Sequence, residues 1–328
     1  MKKIMNDPYS VVSDMLAGLA KANPDLVYVP EREVIHRKSK SGKVGVISGG
    51  GAGHEPAHAG FVGDGMLDAA VSGNVFASPS PDRIMEGIRQ ADSGKGVLMI
   101  IKNYSGDIMN FQLAAELAVE DGIPVEKVVV KDDVAVSDST FSAGRRGIAG
   151  TVFVHKIAGA AARSGAPLSE VKRVAQKAID NVRSMGMAMT PCTLPAVGTP
   201  GFSLGESEME LGMGIHGEPG IQREPLVSAA ELARKLLQPI FADLDYRNSE
   251  TALLVNGMGG TPLMELYILC NEAEKILREA GIAVDRILVG NYMTSLEMAG
   301  CSLSLLRLDE ELKRLLAMPC NTTALKIL

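Results

Sequence analysis

The run Gly49-Gly50-Gly51-Ala52-Gly53-His54 follows directly on the apolar stretch Lys43-Val44-Gly45-Val46-Ile47-Ser48. The stretch 44–48 reads as a buried strand, and Pro56, shortly after the histidine, suits the start of a helix. A strand–glycine–helix corner leaves backbone N–H groups unshielded by side chains, so a polar ligand can approach the main chain closely. What this corner holds, and what His54 does there, is the central question posed by the chain.

Short runs rich in Val, Ile, Leu and Met recur at 44–48, 66–71, 97–101 and 125–130, and each is expected to be a strand. Helical patterns follow at 84–91, 108–118 and 152–162, the first opened by Ser80-Pro81, an N-cap and N1 pair. Alternation at this spacing predicts an α/β layer architecture with a largely parallel sheet. A long polar helix at 168–185 is expected to close the unit. Pro191, Pro195, Pro200, Gly198, Gly201 and Gly205 then cluster as a crossover, which divides the chain into domains over 1–185 and 186–328. In the second domain, 209–215 alternates apolar with small or polar residues and reads as a strand ending in the turn His216-Gly217-Glu218-Pro219-Gly220. Further strands are expected at 251–255, 282–289 and 302–308, with a helix opened by Thr261-Pro262. The expected fold is therefore α/β: two α/β domains, each a mostly parallel or mixed sheet flanked by helices.

Composition removes several function classes. The 328 residues are 46% hydrophobic and 22% charged, the balance of a folded chain. A formal charge of -6, no tryptophan and only 4% aromatics argue against nucleic-acid binding, which rests on clustered Lys and Arg with stacking platforms. The basic start Met1-Lys2-Lys3 has no apolar core behind it, so no signal peptide is expected. Runs such as Gly96-Val97-Leu98-Met99-Ile100-Ile101 fall far short of the ~20 residues of a membrane span. Cys192, Cys270, Cys301 and Cys320 lack C-x-x-C spacing and read as reduced thiols of a cytoplasmic protein.

His54-Glu55-Pro56-Ala57-His58 matches H-E-x-x-H, but that zinc motif needs both histidines one turn apart on a continuous helix. Here Pro56 belongs at a helix start, which leaves His54 before it, and no third ligand is evident; no metal site is expected and His58 reads as structural. Neither G-x-G-x-x-G nor G-x-x-x-x-G-K-[ST] fits the glycine run, so the corner points to a ligand other than a nucleotide. Lys102 and Asp107 lie at the C-terminal end of the 97–101 strand, the edge where ligands bind in open α/β sheets. A carboxylate near His54 can orient the imidazole as a general base; alternatively Asp107 caps the helix that follows and Lys102 is solvated. Arg145-Arg146 fits ion pairing or an anion site, and Gly257-Met258-Gly259-Gly260 fits helix entry. His216 is a lone histidine at a strand end, set apart by small neighbours that leave its ring accessible.

Taken together, Gly-Gly-Gly-Ala-Gly-His-Glu-Pro, Ile-Lys-Asn-Tyr-Ser-Gly-Asp, Asp-Asp-Val-Ala-Val from Asp132, Ala-Gly-Arg-Arg-Gly from Ala143 and Gly-Ile-His-Gly-Glu-Pro-Gly resemble the dihydroxyacetone kinase family. The resemblance continues through Asn291-Tyr292-Met293-Thr294-Ser295-Leu296 and Leu303-Ser304-Leu305-Leu306, so it spans essentially the whole chain. Its departures fall at 28–41 and 241–250, away from the chemistry. The length resembles the dihydroxyacetone-binding subunit of the phosphotransferase-system-dependent, three-component kinase, without the helical nucleotide domain of ATP-dependent members. The resemblance implies that His216 forms a covalent hemiaminal with the substrate carbonyl, that His54 is the general base and that Asp107 works with it on the hydroxyl. It further implies that Gly51, Ala52, Gly53 and Lys102 line the substrate. No cofactor is expected in this chain; ADP and Mg2+ would sit on a nucleotide-binding partner subunit, recharged by a phosphotransferase-system phosphoryl-donor subunit. A cytoplasmic homodimer, without nucleic-acid or membrane partners, is the family expectation. The alternatives are a non-catalytic dihydroxyacetone-sensing paralogue that contacts a transcription regulator, and a kinase subunit for a related short ketose.

Overall fold

The computed structural model describes residues 2–40, 42–136 and 144–328; Ala143 of the Ala-Gly-Arg-Arg-Gly motif and Ser41 of the 28–41 segment lie outside them. The chain forms two compact units, one of Lys131–Val152 with Asp180–Glu311, the other of Lys2–Val130, Phe153–Ile179 and Leu312–Leu328. This division differs from the expected boundary after Met185, since Met185 and Gly186 are consecutive residues of the strand Val182–Ala188. Here pairing overrides the local helical pattern. The expected helix over 168–185 stops at Asn181, and Val182–Ala188 pairs antiparallel with Gly300–Leu308. Ser184 and Gly186 are weak helix formers, so little local preference opposes that pairing.

In the unit of Lys2–Val130, Phe153–Ile179 and Leu312–Leu328, a six-stranded sheet runs Leu26–Val29, Val34–Arg37, Ala69–Val75, Gly45–Ala52, Val97–Lys102, Val125–Val130. The last four strands are mutually parallel, and the first two form an antiparallel edge, so the sheet is mixed. The helices Pro81–Ala91 and Ser105–Glu120 cover the sheet, burying Ile84, Ile88, Phe111 and Ala114 against Ile47, Val71, Met99 and Ile101. Gly87 allows close approach, since a Cβ there would lie 2.5 Å from a Val71 methyl. The helix Thr151–Arg163 is buried from Val152 to Ala162. Its Gly159 faces the backbone of Gly65 and Met66, where a Cβ would come within 2.4 Å.

The unit of Lys131–Val152 and Asp180–Glu311 holds the second six-stranded sheet: Gln222–Pro225, Glu208–Leu211, Val182–Ala188, Gly300–Leu308, Glu250–Gly257, Ala283–Gly290. Every pair is antiparallel except the last, whose strands are joined by the crossover helix Leu263–Glu279. Met185, Met187, Leu253, Val255, Leu303 and Leu305 meet Leu236, Leu237, Ile240, Leu266 and Ala273 in its core. The α/β class with mixed sheets flanked by helices matches the expectation. The strand expected at 209–215 ends at Leu211, because Gly212 adopts φ +73° and the chain turns. Among the described residues, no helix is long and apolar enough to cross a membrane.

Candidate functional site

The glycine corner differs from its expected form. Residues Gly49 to Ala52 continue the strand Gly45–Ala52, with a bend at Gly53 and His54 and no α-helix from Pro56. Turns and the short 3-10 helix Ala59–Phe61 follow instead. Packing accounts for several of the glycines. A Cβ on Gly49 would lie 2.5 Å from the Val71 carbonyl oxygen, and one on Gly51 would lie 2.5 Å from the Ala77 nitrogen. Gly53 has φ +99°, with the Phe76 ring where a Cβ would be. The run thus lets the Val75–Ser78 chain cross directly over the strand end. Gly50 faces the buried charges: a Cβ there would sit 3.0 Å from Lys102 Nζ and 3.5 Å from Asp107 Oδ2.

Because Gly45–Ala52, Ala69–Val75 and Val97–Lys102 are parallel, their carboxyl ends share one edge of the sheet. The Phe76 N–H donates to the Ala52 carbonyl at 2.9 Å, which fixes the crossing segment. His54 is fully buried there, its ring stacked on Phe76 with centroids 4.9 Å apart and planes 14° from parallel. Asp107 stands in the first turn of Ser105–Glu120, where the helix dipole favours a carboxylate. It is not the N-cap, which is Tyr104, and its Oδ1 accepts from Ser78 Oγ at 2.5 Å. Lys102, also buried, places Nζ 4.0 Å from Asp107 Oδ2 and 5.2 Å from the centre of the Tyr104 ring. Lys102 is therefore not the solvated side chain of the alternative reading. An ammonium and a carboxylate withdrawn from water this way contribute little net stability, because the desolvation cost offsets their attraction.

A neutral layer lies behind them. Ser48 Oγ donates to the Ile100 carbonyl at 2.7 Å and lies 3.2 Å from His58 Nδ1. His155 meets His58 edge-on, with ring centroids 5.2 Å apart. Burial, with the Lys102 charge adding to it, pushes His58 well below the ordinary imidazole range and His155 down to about 3. Both rings are thus neutral. Among the described residues no group of three or more His, Cys, Asp and Glu is placed to hold a metal ion. The H-E-x-x-H overlap does not become a zinc helix, since His54 and His58 flank a bend and a turn.

His216 lies in the other unit, in a turn closed by Gly217 N–H to the Gly214 carbonyl at 3.1 Å. Its Nδ1 is 2.8 Å from Glu218 Oε1, and its backbone N–H donates to Glu218 Oε2 at 2.9 Å. Burial pushes the Glu218 carboxyl up, but its hydrogen bond and charge interaction with His216 outweigh that and bring it down to about 2. A carboxylate only accepts, so Nδ1 carries the proton and the lone pair of the neutral ring is on Nε2. The same unit binds its arginines internally. Arg146 Nε donates to Asp133 Oδ2 at 2.8 Å and Nη2 to the Gly212 carbonyl at 2.7 Å, while Arg145 Nη1 donates to Asp243 Oδ2 at 2.9 Å. These are ion pairs, the first of the two readings open for them. Gly259 in the second glycine run has φ +112°, and a Cβ there would meet the Leu296 carbonyl oxygen at 1.9 Å.

Gly51, Ala52, Gly53, His54, Lys102 and Asp107 thus belong to one sheet edge, and His216 to the other unit. Sequence reasoning missed Phe76, Ser78 and Glu218. Glu218 carried a signal, its fixed place two residues after His216; Phe76 and Ser78 carried none, because a crossing loop brings them in.

The sequence profile of the Dak1 domain matches residues 17–324. The PTS-dependent dihydroxyacetone kinase 1, dihydroxyacetone-binding subunit DhaK, of Listeria innocua is 54% identical, over 99% of this chain and 100% of that protein. The crystal structure of the dihydroxyacetone kinase of C. freundii superposes with a TM-score of 0.92 at 37% identity, over 99% of this chain and 60% of that one. A structure described as dihydroxyacetone kinase operon co-activator Dha-DhaQ gives a TM-score of 0.90 at 38% identity, over 95% of this chain and 97% of that one.

Proposed function

The chain belongs to the Dak1 domain family, and on that premise we propose that it is the dihydroxyacetone-binding subunit of a phosphotransferase-system-dependent dihydroxyacetone kinase. The observation that carries the reading is the His216 turn, where a part-exposed imidazole has its Nδ1 engaged by Glu218, which puts the lone pair of the neutral ring on Nε2. In this reading Nε2 attacks the ketone carbon and forms a hemiaminal. Addition requires a carbonyl, so it selects a ketone over glycerol, which hydrogen bonds alone hardly distinguish. Holding the substrate covalently also removes much of the orientational cost of transfer.

His54 then takes the proton of the substrate hydroxyl as that oxygen attacks phosphorus, with Asp107 as its carboxylate partner on the hydroxyl. The backbone of Gly51, Ala52 and Gly53, together with Lys102, lines the substrate. Phosphoryl transfer otherwise asks for positioning and charge neutralisation. The reading assigns ADP and Mg2+ to the nucleotide-binding partner subunit, which a phosphotransferase-system phosphoryl-donor subunit recharges. The product is dihydroxyacetone phosphate.

A second reading, a dihydroxyacetone-sensing paralogue acting with a transcription regulator, draws support from the similarity to the co-activator structure. The pairing of Ser78 with Asp107 supports the enzyme, because a sensor needs only the adduct. The test mixes the purified chain with nucleotide-loaded partner subunit and phosphoryl donor, and supplies dihydroxyacetone, glycerol or erythrulose. Turnover of dihydroxyacetone but not glycerol is expected, and loss of it in His216→Ala. No turnover of any ketone overturns the kinase reading in favour of the sensor, and faster turnover of erythrulose reassigns the substrate.

A further inference from the structure

We infer that Glu218 is a positioning residue for His216, fixing the ring tautomer and balancing the charge that carbonyl addition places on it; the assignment rests on the hemiaminal reading above. The local backbone is built around this carboxylate. Gly217, at φ +80°, folds the chain back so that residue 218 returns to residue 216. One Glu218 oxygen then meets His216 Nδ1 at 2.8 Å, and the other accepts from the His216 backbone N–H at 2.9 Å. The Gly214 N–H donates to the Glu218 carbonyl at 3.1 Å, which ties both ends of the turn. At Gly214 a Cβ would come 2.0 Å from Glu218 Oε2 and 2.6 Å from Arg146 Nη1, so the turn admits no side chain there. Arg146 is itself held by Asp133 and by the Gly212 carbonyl. Each restraint acts on the position of the carboxylate relative to the imidazole.

The chemistry needs that position. As Nε2 attacks, its lone pair becomes the new C–N bond and the carbonyl π pair moves to oxygen, which takes a proton from solvent water and leaves hydroxide to be neutralised by the buffer. The ring is left as an imidazolium whose positive charge is shared by Nδ1–H. A carboxylate at 2.8 Å stabilises that cation by a charge-assisted hydrogen bond. It also excludes the tautomer in which Nε2 is protonated and unreactive. Carboxylates that orient metal-bound histidines work through the same contact, and their loss typically costs about ten- to a hundredfold in affinity.

The test uses the full chain and dihydroxyacetone labelled with carbon-13 at the carbonyl. Addition converts that carbon from trigonal to tetrahedral, and its NMR signal moves accordingly. In Glu218→Gln the tetrahedral signal is expected to need about ten- to a hundredfold more ligand to saturate, by analogy with those orienting carboxylates. The nitrogen-15 signals of the His216 ring are expected to show a mixture of tautomers in place of the single Nδ1–H form, a readout that a merely structural role would not move. Glu218→Asp, which keeps the charge, is expected to recover part of both. Circular dichroism and a thermal melt establish that the variants are folded, and the Asp variant carries the test should the Gln variant not be. A tetrahedral signal in Glu218→Gln of wild-type affinity, with unchanged His216 ring-nitrogen signals, overturns the assignment to Glu218 alone. A wild-type protein that binds the ligand with its carbonyl carbon still trigonal overturns the addition itself.

Discussion

Replacing Gly51 by alanine tests whether the site depends on the crossing of two backbones. The added Cβ would lie 2.5 Å from the Ala77 nitrogen and 2.7 Å from Phe76 Cα and carbonyl carbon. Ordinary contact begins near 3.4 Å, so the deficit is about 0.9 Å, and no rotamer change relieves it because every atom met is main chain. The crossing segment must shift, and it carries the ring stacked on His54 and the hydroxyl bonded to Asp107. Overpacking of this kind costs about 1–3 kcal/mol. At about 2–4 °C per kcal/mol, this lowers the melting temperature by about 2–12 °C. A displacement of about 1 Å at a positioned catalytic group lowers kcat about a hundredfold. Calorimetry reads the first effect and the reconstituted kinase assay the second. Gly18→Ala is the control: Gly18 lies within the helix Val11–Ala22 with nothing within 4 Å of the added methyl, and stabilisation of about 0.5–1 kcal/mol is expected. A Gly51→Ala protein that melts with the wild type and turns over at its rate refutes the close crossing.

His54→Ala is expected to retain the adduct on His216 while turnover nearly disappears, which the labelled-ketone spectrum and the coupled assay separate; near-normal turnover would count against a base at this position. Ser78→Ala removes a hydrogen bond to a charged group, of about 1.5–3 kcal/mol, and is expected to lower kcat by about ten- to a hundredfold. An unchanged kcat would show that Asp107 does not rely on it. Acid is expected to weaken the unit that holds His155. The unfolded chain takes up the proton below about pH 6.5, whereas the folded chain resists until about 3, so stability falls through that window by up to about 1.4 kcal/mol per pH unit. Urea unfolding across the window measures the slope, and His155→Leu is expected to flatten it; an identical slope would mean that other groups cause it.

Much of the architecture was legible because local pattern and tertiary role agreed. The strands at 97–101 and 125–130 are rich in Val and Ile and pair in a parallel sheet, and Ser80-Pro81 does open a helix. The helix Ala229–Asp243 was missed although Ser228 accepts from the Glu231 N–H, the Ser-x-x-Glu pattern of a capped start. The edge strands Leu26–Val29 and Gln222–Pro225 are short, and the latter is polar and exposed, so periodicity barely marks them. Pro56 misled for a different reason: it occupies a turn, where its fixed φ serves as well as at a helix start.

The run Gly49 to His54 shows where the division lies. Sequence alone established an α/β chain with glycines at a strand end, and it singled out His54, Lys102, Asp107 and His216, because each lies in a short motif that resembles the family's. It could not say what the glycines are for. Folding brings Phe76 and Ala77 across them, buries Lys102 beside Asp107 and returns Glu218 onto His216. Which groups end up within hydrogen-bond reach depends on crossings and turns closed by contacts far along the chain, and a linear pattern carries no distance between such residues.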